Sequence, residues 1–406
     1  MKIYDTIIKQ INKSICIFNI NKSLIKYLEK PNMIIHVKIP FILNDKFILI
    51  DGYRVQHNNL LGDYKGGLRF NENVNLDECK SLSAWMTYKT ALYNLPFGGG
   101  KGGICINPNE LNDKELENLS KKFISLIYNN IGENKDIPAP DIGTNSKIIN
   151  YMDDEMYKLT GSKNNFTGKS LDNRGCVGRN EATGFGVVEI FKFWVEKNNF
   201  PIKNSTFIIQ GFGNVGSFTC VYLNNLGAKL IGVSDHSCCL FDSNGIDINK
   251  LIKYSNIHKC IKGFINNEIS NDEFWKIKCN IVIPAALELQ INESIAKNLD
   301  CDIIIEAANG PLDMDADNIL RERKIDVLPD ILCNSGGVIV SYYEYLQNKN
   351  NKYETSINII LNKLSNHMKQ TFDKVYLEVI KKNITYRDAC YGIALLNLGQ
   401  KFKLKY

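Results

Sequence analysis

The first part of the chain combines helical spacing with two β-rich segments. Apolar residues recur at helical intervals over residues 5–30. Residues 33–43 and 47–55 are rich in β-forming side chains, and the turn formers Asn44-Asp45 lie between them. We therefore predict a helical N-terminus followed by a β-hairpin.

A further helix is predicted to start at Asn75 and to run to Asn94. Glu78 follows Asn75 by three residues, which is a variant of the capping box. Lys89 falls on the apolar face that this helix is expected to have; the face is formed by Leu82, Trp85, Met86 and Leu92. Because lysine is rarely buried unless paired, Lys89 either extends to water or meets an anionic ligand. A Gly-rich loop is expected after this helix.

From Glu181 onwards, short apolar runs alternate with helical or loop segments. The runs are residues 206–210, 229–235, 280–286, 302–308 and 324–328. This alternation is typical of a parallel, doubly wound sheet. The pattern becomes helical again from Gly336.

We therefore predict an α/β protein with two domains. The first covers residues 1–180 and is completed by C-terminal helices over 345–406. The second covers residues 181–344 and is a Rossmann-type domain. The length of 406 residues agrees with two hydrophobic cores.

Composition narrows the classes of function. The net charge of +5 arises from 49 basic and 44 acidic residues, and the lysines are scattered, so no nucleic-acid partner is indicated. Twelve cysteines without a C-x-x-C pair favour a reduced, cytoplasmic protein over a disulfide framework. No signal peptide or membrane-spanning segment is expected from the sequence.

A dinucleotide-binding motif follows the run at 206–210. Gly211-x-Gly213-x-x-Gly216 precedes a helical segment, so backbone amides can approach a pyrophosphate, and Asn214 can add a side-chain contact. Asp235 ends the next run, 24 positions after Gly211, where a carboxylate binds a ribose hydroxyl and repels a 2′-phosphate. The motif favours NAD, while neighbouring loops leave NADP open.

Three lysines and one aspartate are candidates for chemistry. Lys101 stands alone among glycines in residues 95–103, either as a reactive cation or in a flexible surface turn. If Lys65, Lys89 and Lys101 converge, like-charge repulsion lowers their pKa values and one amine can act as a base. Asp141 follows two prolines, and a helix N-cap is the equal alternative for it.

In their order along the chain, these residues and motifs resemble those of the glutamate dehydrogenase family. The similarity runs from about residue 30 to the C-terminus. The matching segments are residues 52–58, 64–70, 86–89, 96–103, 137–141, 181–184, 210–216, 284–286, 306–311 and 329–344.

The resemblance implies the reversible oxidative deamination of L-glutamate to 2-oxoglutarate and ammonia, with hydride transfer to NAD(P) and without a metal. It implies that Lys65 and Ser341 hold the side-chain carboxylate and that Lys89 holds the α-carboxylate. Lys101 is expected to activate water and the carbonyl group, and Asp141 to move protons to and from the amino group.

The resemblance also implies a homo-oligomer, by analogy a hexamer, whose first domain binds substrate and assembles and whose second binds the cofactor. The further residues that it places at the cofactor are Arg179, Thr183, Asn214, Asn309 and Asn334. Two segments depart from the family pattern, Arg174-Gly-Cys176 and Cys238-Cys239, and both concern cofactor affinity more than chemistry.

Two other functions remain open at this point. A leucine- or phenylalanine-type dehydrogenase shares Lys89, Lys101 and Asp141 but has no use for a cation at Lys65. A nucleotide-binding relative without turnover would keep the fold alone.

Overall fold

The computed structural model describes residues 3–405, without the side chains at positions 3, 5 and 6. The contacts divide the chain into two compact units. The N-terminal unit comprises the residues up to Arg179, residues 338–360 and residues from 391 onwards. The central unit comprises residues 180–337 and 361–390.

The N-terminal unit begins with two helices and contains a mixed sheet. Its elements are α1 Ile3–Phe18, α2 Lys22–Leu28, β1 Met33–Leu43, β2 Lys46–Asn58, β3 Tyr64–Phe70, α3 Leu76–Leu92, β4 Gly99–Ile104, α4 Asp113–Ile127, β5 Asp136–Pro140 and α5 Ser146–Thr160.

The sheet of this unit has the strand order β1-β2-β4-β3-β5. The predicted hairpin is confirmed: β1 and β2 pair in antiparallel register, and Asn44 and Asp45 have φ of 50° and 60°, as a two-residue turn requires. Strand β3 runs parallel to β4 and to β5. Apolar side chains of α4 and α5 pack with those of the sheet in one core cluster.

The segment expected to be a Gly-rich loop is the buried strand β4 instead. Its glycines leave room for a side chain that crosses the sheet. A Cβ atom at Gly100 would lie 3.0 Å from Arg54 Nη2, and one at Gly102 would lie 3.1 Å from Arg54 Cδ. The strand therefore packs by close approach of its backbone to its neighbours rather than by apolar side chains. For that reason it lacks the apolar pattern from which strands are predicted.

Arg54 extends from β2 across β4 and β3 to Asp136 on β5. Its Nε donates to Asp136 Oδ2 at 2.8 Å, and Nη2 contacts Oδ1. Its Nη1 donates to the carbonyls of Gly66 and Gly67 at 3.1 and 3.2 Å. Both charged side chains are fully buried. One ion pair therefore connects four of the strands.

The central unit alternates strands and helices as the sequence predicts. Its elements are α6 Ala182–Asn198, β6 Thr206–Gln210, α7 Asn214–Asn225, β7 Lys229–Ser234, β8 Cys239–Phe241, α8 Ile248–His258, β9 Glu268–Ile269, α9 Asn271–Phe274, β10 Ile281–Pro284, α10 Glu293–Asn298, β11 Ile303–Ile305, α11 Met314–Glu322, β12 Asp326–Leu328 and α12 Asp330–Cys333.

The predicted doubly wound parallel sheet is confirmed. Its strand order is β12-β11-β10-β6-β7-β8-β9, in which the first five are parallel and β8 and β9 are antiparallel additions. The order reverses where β6 lies beside β10. The crevice at the carboxyl ends of strands at such a switch point is where ligands bind in open α/β sheets.

The C-terminal helices are shared between the units, in contrast to the expected return of residues 345–406 to the first domain. They are α13 Gly336–Asn350, α14 Ile357–Lys382 and α15 Tyr386–Lys405. Residues 361–390 belong to the central unit. The reason is a set of buried polar contacts, including Ser365 with Glu189 and Arg387 with Glu306, that the apolar pattern does not encode.

Replacing Arg54 with Met should destabilise the N-terminal unit by about 3–5 kcal/mol, because Asp136 would be left as an uncompensated buried charge. Urea unfolding measures this as a fall in midpoint of roughly 1–2 M. The control is Lys297→Met, which removes an exposed pair with Glu293 and should change stability by less than about 0.5 kcal/mol. Equal midpoints for the two variants would show that the buried pair has no such role.

Candidate functional site

The sheet of the N-terminal unit separates its charged residues between two faces. Successive side chains on a strand point to opposite faces. Arg54 pairs with Gly102, and Asp136 pairs with Tyr64, which sets the face of the buried ion pair. Lys101 directly precedes Gly102 and Lys65 directly follows Tyr64, so both lysines lie on the opposite face.

Lys101 and Asp141 meet on this face. Lys101 Nζ contacts Asp141 Oδ2, and Arg69 Nε lies 3.6 Å from the same oxygen. Lys101 is only 6% exposed, so the alternative of a flexible surface turn is wrong. Gly67 leaves room beneath the carboxylate, because a Cβ there would lie 2.8 Å from Asp141 Cβ.

Asp141 does not cap the helix that follows it. The N-cap of α5 is Asn145, whose side chain accepts a hydrogen bond from Ile148 N at 3.1 Å. The backbone of Asp141 is held instead by Thr144, through hydrogen bonds from Asp141 N to Thr144 Oγ1 at 2.7 Å and from Thr144 N to Asp141 O at 3.0 Å. The carboxylate is therefore available to Lys101.

Lys65 is the most deeply buried of the three candidate lysines, with 1% exposure. Its Nζ donates to Ile137 O at 3.2 Å. Burial, followed by the charges of Arg179 and Arg54, lowers the pKa of Lys65 to about 7, although Glu344 opposes the shift. The sequence-based expectation attributed a lowered pKa to mutual repulsion among the lysines; desolvation is the larger cause, and the neighbouring cations are arginines.

Ser341 lies on α13 and bonds to Arg179. The Arg179 Nε donates to Ser341 Oγ at 3.0 Å, and Lys65 donates to a backbone carbonyl rather than to this serine. One turn further on, Glu344 accepts from Gly168 N at 2.9 Å. Arg179, which the resemblance places at the cofactor, belongs to the N-terminal unit and lies among these groups.

Lys89 lies on α3 and is 7% exposed. The expected single apolar face is wrong, because α3 is buried on almost every side, including at Ser83 and Thr87. Met86, one turn before Lys89, is the nearest side chain to Gly66, where a Cβ would lie 3.2 Å from Met86 Cγ. This face of α3 therefore lies against the segment of β3 that carries Lys65.

The glycine motif of the central unit has the geometry of a pyrophosphate site. Gly211 has φ of +97°, and a Cβ at Gly216 would lie 2.0 Å from Gly211 O, so both positions require glycine. A Cβ at Gly213 would have no neighbour within 4 Å, which leaves open space at the N-terminus of α7. The residues present therefore fit a dinucleotide.

The polar residues around this motif are already engaged with the protein. Asn214 Nδ2 donates to Asn180 O at 2.8 Å. Asp235 Oδ1 accepts from Ser237 N at 2.7 Å, and its Oδ2 accepts from Ile261 N at 2.9 Å. The carboxylate at the end of β7 thus also holds the surrounding loops.

Thr183 and Asn334 complete the predicted cofactor residues of this unit. Thr183 lies in the first turn of α6. Asn334 Nδ2 donates to Ala308 O at 3.1 Å and to Asn309 Oδ1 at 3.2 Å, while its own Oδ1 is buried without a hydrogen-bond partner. The structure therefore places the predicted cofactor residues other than Arg179 in one unit, at the carboxyl ends of β6, β7 and β11, at the end of α12 and at the start of α6.

Several residues of the site gave no signal that we recognised in the sequence. They are Arg54, Arg69, Asp136 and Glu344. Only Glu344 had a usable position, since it follows Ser341 by three residues and shares its helical face. Within residues 3–405, no helix is both long and apolar enough to cross a membrane. In the same range, no group of His, Cys, Asp and Glu side chains could hold a metal ion.

Two family descriptions match the chain. Glutamate/Leucine/Phenylalanine/Valine dehydrogenase matches residues 175–405, and Glu/Leu/Phe/Val dehydrogenase, dimerisation domain, matches residues 31–158. The chain belongs to the Glu/Leu/Phe/Val dehydrogenase family, as its motifs predict.

Individual relatives agree with this assignment. The NAD-specific glutamate dehydrogenase of Peptoniphilus asaccharolyticus is 39% identical over 93% of this chain and 92% of its own length. The crystal structure of glutamate dehydrogenase from the same organism superposes with a TM-score of 0.85 at 34% identity, covering 100% of this chain and 99% of that one. The hetero-hexameric glutamate dehydrogenase of Thermus thermophilus, in a leucine-bound form, gives a TM-score of 0.96 at 25% identity, covering 100% and 97%.

Two alanine substitutions in the glycine motif should separate folding from ligand binding. Gly216→Ala should lower the melting temperature and abolish NADH binding, because its Cβ would clash with Gly211 O. Gly213→Ala should leave the melting temperature unchanged but weaken NADH binding at least about tenfold, since the Cβ enters open space beside the amides. Fluorescence titration with NADH measures both, and unimpaired binding by Gly213→Ala would exclude this site.

Proposed function

We propose that this chain catalyses the reversible oxidative deamination of L-glutamate to 2-oxoglutarate and ammonia, with NAD as hydride acceptor. The observation that carries the proposal is the contact of buried Lys101 with Asp141, on the same sheet face as Lys65. A dinucleotide motif of suitable geometry and the NAD-specific relatives support the cofactor.

In the oxidative direction, Asp141 accepts a proton from the α-amino group. NAD, when bound, would supply the hydride acceptor for the α-carbon, so that the substrate carbon–nitrogen bond becomes an iminium. Lys101 takes a proton from the water molecule that adds to the iminium carbon. Asp141 returns its proton to the nitrogen, and ammonia leaves as the new hydroxyl group loses its proton to solvent and becomes the carbonyl. A lysine suits this step because its pKa, unlike that of arginine, can be moved towards neutrality.

Recognition of glutamate is assigned to cations at both ends of the substrate. Lys89 holds the α-carboxylate, and Lys65 with Ser341 holds the side-chain carboxylate. We add Arg179 to the residues that hold the side-chain carboxylate, since it donates a hydrogen bond to Ser341 and, together with burial, lowers the pKa of Lys65. A leucine or phenylalanine substrate would bring an apolar side chain, rather than a carboxylate, against Lys65 and Arg179, at a large desolvation cost.

The central unit is assigned to NAD. Amides around Gly211, Gly213 and Gly216 hold the pyrophosphate, and Asp235 binds a ribose hydroxyl. Contacts from Thr183, Asn214, Asn309 and Asn334 complete this part of the proposal. The N-terminal unit is assigned to substrate binding and assembly.

We also propose a homohexamer of 46.1-kDa chains. The match to a dimerisation domain and the hetero-hexameric relative from Thermus thermophilus support assembly, the latter into six subunits. Ile42, Phe47 and Leu49 on one face of the hairpin are 65, 68 and 56% exposed, an apolar surface that a second copy could cover. Sedimentation equilibrium measures the mass of the assembly, which should be that of six chains.

The free cysteines among the described residues support a reducing compartment, and we place the protein in the cytoplasm.

The direct experiment follows NADH oxidation with ammonia and a 2-oxoacid. Turnover should be much faster with 2-oxoglutarate than with the 2-oxoacids of leucine and phenylalanine, and NADH should exceed NADPH in kcat/KM. A preference for the apolar 2-oxoacids would establish the leucine or phenylalanine type. NADH binding without turnover of any of these substrates would favour a non-catalytic relative.

Lys101→Ala should lower kcat by roughly three orders of magnitude, because proton transfer and carbonyl activation are lost. NADH binding should remain within about twofold, since Lys101 lies in the unit that we assign to substrate. The control is Lys147→Ala, an exposed lysine of the same unit that pairs with Asp113. Retention of turnover by Lys101→Ala would refute the assigned role.

Binding of a dicarboxylate should weaken as pH rises above 7. Lys65 must be charged to hold a carboxylate; with a pKa of about 7 it is protonated below that pH and neutral above it. The dissociation constant of glutarate, measured by calorimetry, should therefore rise about tenfold per pH unit above 7. In Lys65→Met the affinity should be lower and this dependence absent; an unchanged pH profile in the variant would assign the dependence to another group.

A further inference from the structure

An arginine in the first turn of α15 is surrounded by carboxylates of the central unit. Arg387 Nη1 and Nη2 donate to the two oxygens of Glu306 at 3.0 and 2.6 Å, and Nε donates to Asp317 at 2.9 Å. Asp330 Oδ1 lies 3.9 Å from Nη1. Glu306 and Asp330 are fully buried. The function proposed above makes no use of this cluster.

The two buried carboxylates hold both ends of the loop that follows β11. Asp330 N donates to Glu306 Oε2 at 2.8 Å, at the beginning of the loop. Gly310 N donates to Asp330 Oδ2 at 2.9 Å, at its end. Because Arg387 binds Glu306 in bidentate fashion and lies near Asp330, it determines where this loop stands.

Asn334 lies at the end of α12 and connects this helix to the loop. Its backbone N donates to Asp330 O at 2.9 Å. Its Nδ2 donates to the carbonyls of Ala307 and Ala308 at 3.2 and 3.1 Å, so the amide nitrogen is used by the loop. The amide oxygen is a buried acceptor without a protein partner. Such an atom is costly unless a ligand supplies the missing donor.

The position of this acceptor in the sheet indicates which part of a dinucleotide it meets. The glycine motif after β6 and the carboxylate after β7 belong to the half that binds the adenosine and the pyrophosphate. Strands β10, β11 and β12 form the other half, which receives the nicotinamide mononucleotide. The nicotinamide carboxamide carries two N–H donors.

We propose that Arg387 is a positioning residue for the nicotinamide half of the NAD site. Through Glu306 and Asp330 it holds the loop from Glu306 to Gly310 together with Asn334, so that the Asn334 amide oxygen accepts a hydrogen bond from the carboxamide. The inference rests on NAD as the cofactor of the proposed function. It assigns to a C-terminal helix a part in cofactor orientation.

The test compares two ligands with the variant Arg387→Lys, which keeps the charge but loses the bidentate geometry. The dissociation constant for NADH should rise about tenfold. That for ADP-ribose, which contains the adenosine and pyrophosphate but no nicotinamide, should stay within about twofold. Equal weakening of both ligands, or of neither, would overturn the proposal.

Arg323→Lys is the matched control in the same unit. Arg323 donates to the carbonyls of Ala296 and Leu299, both at 2.6 Å, away from the loop. This variant should leave the ratio of the two affinities unchanged. Thermal unfolding of each variant shows whether it is folded. If Arg387→Lys does not fold, Glu306→Gln, which keeps the shape and removes the charge, should give the same selective loss, and an unchanged ratio there overturns the proposal.

A double variant tests whether Arg387 acts through Asn334. When Asn334→Ala is already present, Arg387→Lys should weaken NADH binding by less than about twofold more. A full additional tenfold loss would mean that Arg387 acts by another route. These binding measurements do not depend on turnover, so a protein that binds NADH selectively but does not oxidise glutamate would refute the proposed function and not this inference.

Discussion

The buried pair of Arg54 and Asp136 is the constraint on which the N-terminal unit depends. The guanidinium crosses two strands to reach its carboxylate, and it can do so only where those strands carry no side chains in its path. Glycine at 100 and 102 follows from that requirement. Once the arginine is in place, its donors bind the carbonyls of β3, and Gln56 adds a third donor to Asp136 at 2.9 Å. The carboxylate thus has the multiple partners that a buried charge needs.

This arrangement also explains how reactive cations can be buried nearby. The sheet places the fully paired arginine on one face and Lys65 and Lys101 on the other, so the two kinds of charge do not compete for partners. Lys101 contacts the carboxylate of Asp141, whereas Lys65 donates a hydrogen bond to a backbone carbonyl and has arginines as neighbours. Lys65 is therefore held in a state that an incoming carboxylate would stabilise. On the proposed function, that imbalance is the source of affinity for an anionic substrate.

The sequence predicted the parallel sheet of the central unit and the hairpin of the N-terminal unit, but not strands β3, β4 and β5, for a physical reason. Strands such as β6 and β10 are buried by their own apolar side chains, which leave a readable pattern. Strand β4 has glycine at four of its six positions, and β5 contains two prolines. Both strands are buried by the close approach of neighbouring backbone and by the buried ion pair. The individual lysines were found because they interrupt apolar or glycine-rich segments. Their partners among distant residues, including Arg179 for Ser341, depend on tertiary contacts that spacing does not encode.

Arginine and lysine are used for different purposes in the two units. Arg54 and Arg387 each bind a buried carboxylate through two nitrogens. Arg54 also binds backbone carbonyls of β3, and Arg387 also binds Asp317. Each arginine thereby fixes a segment of the chain next to residues of the proposed site. A guanidinium suits this task because it stays charged and its planar set of donors fixes geometry. The residues assigned to substrate and proton transfer are mainly lysines, whose charge responds to burial and to bound anions. The two residue types could therefore not replace each other. A lysine at 54 could not hold both oxygens of Asp136, and an arginine at 101 could not release a proton near neutral pH. The different roles of arginine and lysine thus follow from the chemistry of the two side chains rather than from their positions in the sequence.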